Sequence, residues 1–129
     1  CSEEILNTLA SIRGPFSVNK IASMLGKIAL EDLEFQRISK EHNDKWQSKF
    51  SKFLDNTGIN YIKSKANFIL MNFSNMKHNA IDVAKFFEKK NILLRTMEPY
   101  KLDNFLRMSF GNDQEMEVVK KYFKEIINN

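Results

Sequence analysis

Arg95 and Arg107 are the residues of this 129-residue chain whose chemistry is most informative. Arg95 ends an apolar run at residues 92–95, and Arg107 lies inside a second apolar run at residues 105–110. Each run is short enough to be a β-strand. A guanidinium is planar and carries several N–H donors, so two of them on neighbouring strands could bind one carboxylate or phosphate. The spacing therefore predicts a small anion-binding site.

A purely structural role is the alternative for both arginines. A charged guanidinium is rarely buried without a partner. Glu98 and Asp103 are close enough in sequence to pair with arginines at the ends of these strands. Spacing does not separate an anion site from two internal ion pairs.

The remaining polar residues predict little other chemistry. Four glycines are too few, and wrongly spaced, for a dinucleotide-binding or phosphate-binding loop. His42 and His78 do not stand in ligand spacing with each other or with Cys1, so no metal site is predicted. Ser17, Ser64 and Ser109 have no adjacent base in sequence, and the acidic pairs lie on polar helix faces. We expect His42 to be a structural histidine and Asn67 to be a buried amide bonded to backbone.

The composition is that of a globular domain with a filled apolar core. Hydrophobic residues are 43% and charged residues 28% of a chain long enough for one domain. The net charge is +4, but the lysines are spread along the chain, so we expect solvated surfaces and no nucleic-acid partner. A single cysteine, Cys1, allows no internal disulfide, and no apolar run is long enough to span a membrane. These features predict a cytoplasmic protein without a membrane partner.

Hydrophobic periodicity predicts helices in the first half and strands alternating with helices in the second. Helices are predicted at residues 2–12, from Ser17 or Asn19 to 33, and at 35–54, 80–90 and 113–127. A Gly-Pro pair is predicted to separate the first two helices, and Gly58 and Asn91 are predicted to end the third and fourth in a left-handed conformation. Aromatic residues recur every three or four positions along the third helix, Pro99 is predicted in a loop, and Asn112 is predicted to cap the last helix reciprocally with Glu115. Strands are predicted at residues 59–62, 66–73, 92–95 and 105–109. The predicted fold class is α/β, of the α+β sandwich kind. A sheet of about three to four strands with helices packed on it would follow long N-terminal helices, in one domain of residues 1–129.

Four segments resemble motifs of the fold-type I, class I/II pyridoxal-phosphate aminotransferases, in the family's order and spacing. The motifs are Arg-x-Pro-Phe-Asn-Val-Asn, Ser-x-Ala-Asn-Phe, Gly-Ile-x-Val-Arg and Leu-Arg-Ile-x-x-Gly-Thr-x-Glu-Glu-Asn. They correspond, in that order, to residues 12–19, 64–70, 91–95 and 106–116. The chain is most similar to the C-terminal small domain of the histidinol-phosphate aminotransferases, and the resemblance implies the small-domain fold of that family.

The resemblance also implies a role for each arginine. Arg107 would bind the carboxylate of an amino-acid or 2-oxo-acid substrate, or the phosphate of histidinol phosphate, and Arg95 would help at the same end. The implied partners are an amino-acid or phosphorylated amino-alcohol substrate, 2-oxoglutarate and a second copy of the parent enzyme. The implied cofactor is pyridoxal 5'-phosphate, in a parent enzyme of histidine biosynthesis.

One expected part of the family pattern has no counterpart in these 129 residues. The Schiff-base segment, Ser-Lys-x-x-Gly-x-x-Gly-x-Arg-x-Gly-Tyr, is absent, and no glycines follow Lys63 and Lys65. The coenzyme's lysine and phosphate-binding groups would then belong to a large domain outside this chain. We therefore expect no catalytic and no cofactor-binding residue here, and no activity from the isolated chain.

Two other functions stay open at this point. A threonine-phosphate decarboxylase-like enzyme, which also uses pyridoxal phosphate, shares the same segments. A non-catalytic α/β interaction module would instead hold both arginines in structural ion pairs.

Overall fold

The structure is a computed structural model that describes residues 1–14 and 17–128. Within these residues it has five α-helices and a four-stranded sheet. The chain divides into two compact units, Cys1–Ile38 and Ser39–Asn129, and each is described by itself. None of the described helices is both long enough and apolar enough to cross a membrane.

The first unit contains α1 (Glu3–Ile12), α2 (Lys20–Glu31) and the start of a third helix. Ser2 caps α1 and Asn19 caps α2, each accepting a hydrogen bond from the backbone N–H three residues on, at 3.4 and 2.7 Å. The prediction of a helix over residues 2–12 is confirmed, and Asn19 is the cap that the sequence offered beside Ser17.

The apolar stripes of the first unit are exposed. No described residue of α1 or α2 is buried, and the Ile21 side chain is 71% exposed. The break between the two helices was predicted at a Gly-Pro pair, and Pro15 and Phe16 lie outside the described residues. The large exposed apolar residues described in this unit are Ile5, Leu6, Leu9, Ile12, Val18, Ile21, Met24, Leu25, Ile28, Leu30, Leu33, Phe35 and Ile38.

Helix α3 (Leu33–Asp55) carries the aromatic stripe that the sequence predicted. Trp46 and Phe50 on its second half are buried in the second unit. The helix is followed by Gly58 at φ 75°, a left-handed conformation that glycine adopts without steric cost. The predicted end of this helix is therefore confirmed.

The four strands form one antiparallel sheet in the second unit. They are β1 (Asn60–Ile62), β2 (Phe68–Asn72), β3 (Arg95–Thr96) and β4 (Phe105–Ser109), in the spatial order β1-β2-β4-β3. Strand β4 has the bounds that the sequence predicted, and the second strand is shorter than the predicted residues 66–73. The predicted fold class is confirmed.

The strand predicted over residues 92–95 is wrong at its beginning. Asn91 takes a left-handed conformation at φ 59°, and the Ile92 N–H bonds back to the Phe87 carbonyl at 3.0 Å. This amide therefore closes the preceding helix and is not available to a sheet ladder. The strand begins only at Arg95. Pro99, predicted in a loop, lies in a short 3₁₀ helix, Glu98–Tyr100.

Helices α4 (Ala80–Glu88) and α5 (Asp113–Asn128), with the second half of α3, pack on one face of the sheet. Phe50, Phe87 and Phe123 bring the three helices together, and the Phe87 and Phe123 ring centroids are 4.6 Å apart. The sheet contributes alternate residues to this core, including Ile69 and Leu106, both with no solvent exposure. Alternation places every second side chain of each strand on the opposite face.

Asp113, the first residue of α5, ties that helix to α3. Its carboxylate accepts hydrogen bonds from the Lys45 ammonium at 2.5 Å and from the Trp46 indole N–H at 2.6 Å. These bonds, the one from Lys45 first, hold the pKa of the Asp113 carboxyl below its ordinary value of 3.8. Asn112 caps the helix reciprocally with Glu115, at 2.7 and 2.9 Å, as the sequence predicted.

Replacing Asp113 with asparagine is expected to change the acid dependence of unfolding. A carboxyl whose pKa is lowered in the folded state stabilises the fold at pH values above its pKa in the unfolded chain. That stabilisation is lost as the pH falls through the lowered folded-state pKa. The gap in melting temperature between the natural chain and Asp113→Asn should be widest near neutral pH. It should shrink below about pH 3.8. Thermal unfolding between pH 7 and 2 measures it.

The control for this prediction is Asp103→Asn, which removes an exposed loop carboxylate that forms no salt bridge within the described residues. A gap that is equally wide at all pH values would show that the Asp113 charge does not stabilise the junction of the two helices.

Candidate functional site

The antiparallel register brings the two predicted arginines directly opposite each other. Arg95 in β3 is the Cα partner of Arg107 in β4, and Leu70 in β2 lies on the other side of Arg107 in the same row. Opposite residues of an antiparallel pair project to the same face, with Cβ atoms about 4.5–5.5 Å apart. Arg95 and Arg107 therefore emerge side by side from one face of the sheet.

This face, which we call the arginine face, is the one turned away from the helices of the second unit. It is formed by residues that alternate with the buried core positions of their strands, and they are half-buried or exposed. Ile62 at one edge is 54% exposed, and Arg95 at the other edge is exposed. The arginine face comprises Asn60, Ile62, Phe68, Leu70, Asn72, Arg95, Phe105, Arg107 and Ser109.

Each guanidinium lies over an aromatic ring. The Arg107 Cζ atom is 5.0 Å from the centre of the Phe68 ring, and the Arg95 Cζ atom is 6.0 Å from the centre of the Tyr100 ring. The Arg95 Nη2 atom also donates a long hydrogen bond, 3.4 Å, to the Tyr100 hydroxyl. Both distances to the ring centres are in the range of cation–π attraction.

Neither arginine has an internal counter-ion among the described residues. The two local acids that could have paired with them, Glu98 and Asp103, form no ion pair with either guanidinium. Like charges directly opposite each other in a ladder destabilise it. An anion that accepted hydrogen bonds from both side chains would remove this repulsion. The geometry is therefore suited to a carboxylate or a phosphate.

The other polar residues singled out in the sequence lie away from this face. His42 Nε2 is 2.9 Å from the Gly111 carbonyl, and the half-buried ring is beside Asp113, which agrees with a structural role. Asn67 was expected to be buried, but its side chain is exposed, because the strand begins one residue later at Phe68. Within the described part of the chain, no three His, Cys, Asp or Glu side chains are placed to hold a metal ion.

Comparison with known proteins identifies the family. The family model "Aminotransferase class I and II" matches residues 1–123. This chain belongs to the class I and II aminotransferases. The sequence resemblance is thereby confirmed, and with it the dependence of the family on pyridoxal phosphate.

Two curated relatives are histidinol-phosphate aminotransferases. The one from Paramagnetospirillum magneticum is 32% identical over 128 residues, which cover 98% of this chain and 35% of the relative. The one from Rhodospirillum centenum is 34% identical over 119 residues, which cover 92% of this chain and 33% of the relative. This aminotransferase chain thus spans about a third of the length of the curated relatives it matches.

Three solved structures share the fold. Histidinol-phosphate aminotransferase from Clostridium acetobutylicum has a TM-score of 0.82 at 21% identity, over 99% of this chain and 39% of that chain. The Sinorhizobium meliloti histidinol-phosphate aminotransferase in complex with pyridoxal-5'-phosphate has a TM-score of 0.77 at 18% identity, over 95% and 33%. L-threonine-O-3-phosphate decarboxylase from Porphyromonas gingivalis has a TM-score of 0.67 at 17% identity, over 100% and 40%.

The described residues of this aminotransferase chain do not fit a coenzyme site. A lysine that forms a Schiff base needs an enclosed, desolvated pocket. The lysines of the described residues are exposed, except that Lys90 and Lys120 are half-buried and form ion pairs with Glu125 and Glu117. The arginine face offers hydrogen-bond donors to an anion, and it has no lysine that could form a Schiff base.

Sequence reasoning missed the aromatic residues of the site. Phe68 lies within the family's Ala-Asn-Phe motif and Tyr100 directly follows Pro99, so both were visible in the sequence. Alternation along β2 could have placed Phe68 on the same face as Leu70. The pairing of β2 with β4, which sets Phe68 beside Arg107, required the tertiary structure.

We expect Arg95→Gln to reduce the response of the isolated chain to phosphate. The variant keeps Arg107 but lacks the second guanidinium that could donate to the same anion. Added phosphate should therefore raise the melting temperature of the natural chain more than that of the variant. Thermal unfolding scans at several phosphate concentrations measure the difference.

Two controls accompany this prediction. Lys89→Gln removes an exposed cation of the helical layer, and sodium chloride at equal ionic strength separates general screening from phosphate binding. Equal stabilisation by chloride and phosphate would argue against a shared anion site.

Proposed function

We propose that this chain is the substrate-binding C-terminal small domain of a pyridoxal-phosphate-dependent aminotransferase. The parent reaction would transfer an amino group between histidinol phosphate, or a related amino acid, and 2-oxoglutarate. The observation that carries this proposal is the Arg95–Arg107 pair. The two arginines are partners in the strand register, on the face of the sheet that the helices of the second unit leave open, and no carboxylate of the described residues pairs with either.

In this proposal the two arginines bind the anionic end of the substrate. Arg107, which is half-buried, would make the two parallel hydrogen bonds that a guanidinium can offer to a carboxylate or phosphate. Arg95, at the exposed edge strand, would neutralise the remaining charge. Histidinol phosphate ends in a phosphate dianion, and 2-oxoglutarate ends in a carboxylate. One pair of arginines could therefore bind each substrate in turn.

The coenzyme would be held by residues outside these 129. Pyridoxal phosphate serves such enzymes as an electron sink, and the protein orients the substrate against it. The curated relatives are about three times as long as the matched segment, which leaves room for a large domain. We therefore propose that this chain provides the substrate end of the site and no coenzyme ligand.

The exposed apolar side chains of the first unit support the proposal that its helices pack against a partner outside this chain. Helices α1 and α2 expose large apolar side chains at spacings of three and four residues, with more than half of each Ile5, Leu9 and Leu25 side chain accessible. Patches of this kind mark protein interaction surfaces. The large domain, and the second subunit of a homodimer, are the partners that we propose. A cytoplasmic enzyme of histidine biosynthesis is the corresponding setting.

The isolated chain is expected to form no specific aldimine with pyridoxal phosphate and to show no transaminase activity. Its described lysines lie on exposed surfaces, so any adduct should be distributed over many of them. Borohydride reduction followed by peptide mass spectrometry would locate the modified lysines. Stoichiometric labelling of one lysine, with an absorbance band to match, would contradict the proposal.

In the full-length parent enzyme, Arg107→Lys is expected to raise the KM for the phosphorylated or amino-acid substrate and to lower kcat. Lysine keeps the charge but cannot make two parallel hydrogen bonds, and a truncated charge-assisted contact costs about 1.5–3 kcal/mol. A fall in kcat/KM of about tenfold or more is therefore expected. Steady-state kinetics with each substrate measures it.

The matched control is Arg37→Lys, the same change at an exposed position of α3 that pairs with Glu34. Kinetics of Arg107→Lys indistinguishable from those of the control would remove the substrate-binding role. Assays with threonine phosphate, with and without 2-oxoglutarate, separate a decarboxylase from an aminotransferase. An interaction module would show no arginine-dependent binding of carboxylate or phosphate.

A further inference from the structure

We propose that Phe68 and Tyr100 are positioning residues, which hold the guanidinium planes of Arg107 and Arg95 so that both can donate to one anion. The inference rests on the proposed anion-binding role of the two arginines and adds to it the residues that orient them. Neither aromatic side chain would touch the reacting atoms.

The Phe68 ring contacts the Arg107 guanidinium without accepting a hydrogen bond from it, because phenylalanine has no polar side-chain atom. Tyr100 also contacts its arginine, and its hydroxyl accepts one hydrogen bond from Arg95. The Arg107 Cζ lies 5.0 Å from the Phe68 ring centre, and no carboxylate of the described residues competes for its donors. The contact with Phe68 therefore restricts the Arg107 side chain without using the donors that an anion needs.

Phe68 is fixed in place by the sheet. It is the first residue of β2, its Cα partner is Ser109, and Arg107 lies two residues along the same strand from Ser109. Phe68 and Arg107 are thus diagonal neighbours on one face, a distance that an aromatic side chain can span. The residue is half-buried, so its neighbours restrict the position of the ring beneath the guanidinium.

Tyr100 reaches Arg95 from a sharp turn. It ends the 3₁₀ helix Glu98–Tyr100, and the next residue, Lys101, has φ 59°, a conformation uncommon for residues other than glycine. The Tyr100 ring is 57% exposed, so burial in the core does not explain its position. Its contact with Arg95 is the interaction that the turn makes possible.

The two rings differ in one respect that makes the proposal specific. The Tyr100 hydroxyl accepts a hydrogen bond from Arg95 Nη2, whereas Phe68 has no polar atom. Arg95 therefore has one donor engaged before a ligand arrives, whereas Arg107 donates no hydrogen bond to any of the described residues. Phe68 should accordingly matter more than Tyr100, because it positions the arginine with the full set of donors.

The test is a titration of the 129-residue chain with inorganic phosphate, followed by the ¹H–¹⁵N resonances of the arginine Nε–H groups. Phe68→Leu is expected to weaken phosphate binding by about two- to fivefold, the range of a cation–π contact at a partly exposed position. Tyr100→Leu should weaken it by about twofold. Phe68→Tyr, which restores a ring, should recover the affinity of the natural chain.

A matched control and a folding check complete the design. Phe86→Leu removes a ring that lies under a cation, Lys90, in the helical layer, and it should leave the phosphate affinity unchanged. Circular dichroism reports folding. If Phe68→Leu does not fold, Tyr100→Leu in its exposed turn decides the question.

The outcomes separate this inference from the proposed function. Phosphate binding that depends on Arg107 but is the same in Phe68→Leu, Tyr100→Leu and the natural chain would overturn the positioning role and leave the anion site in place. Phosphate binding that does not depend on Arg107 would overturn both. Loss of affinity in the leucine variants, with recovery in Phe68→Tyr, is the result that supports it.

Discussion

The short ladder between β3 and β4 is the constraint on which the candidate site depends. It has two paired positions in its register, and one of them sets Arg95 opposite Arg107. A shift by one residue would send one guanidinium to the helical face of the sheet. The ladder opposes two positive charges, so its register has to be held by interactions elsewhere in the unit.

The aromatic core provides that support. Leu106, which precedes Arg107 in β4, packs against the helices and has no solvent exposure. Phe87 and Phe123 belong to the same buried cluster. Because side chains alternate along a strand, burial of Leu106 obliges Arg107 to face the other way. The closing of α4 takes the Ile92 amide out of the sheet ladder, and β3 begins at Arg95. Packing and helix termination together determine where the charges emerge.

One-sided packing leaves this part of the molecule open to a partner. The helices of the second unit cover a single face of the sheet, and the arginine face keeps Ile62 and Arg95 accessible. In the first unit, α1 and α2 have capped ends and apolar stripes but no buried residue among those described. Both features agree with a chain that spans about a third of its curated relatives.

Local signals determined much of the secondary structure from sequence. The capping pair Asn112 and Glu115, the left-handed Gly58 and Asn91, and the periodicity of α3 and α5 depend on neighbouring residues only, so they were predictable. The family motifs likewise identified the aminotransferase fold, and they single out the two arginines as a predicted anion site. These signals are short-range, and a chain carries them whatever its tertiary structure.

Tertiary structure decided the rest. The loss of Ile92 from the predicted strand follows from competition between a helix cap and a sheet for its amide. The exposure of Asn67 and the contact of Phe68 with Arg107 follow from where the strands begin and how they pair. Sequence could name Arg95 and Arg107 as an anion site or as two ion pairs. Only the fold, which leaves both without a carboxylate in its described residues and sets them on one open face, favours the first. Pairing between distant segments is a property of the packed chain, and local sequence does not encode it.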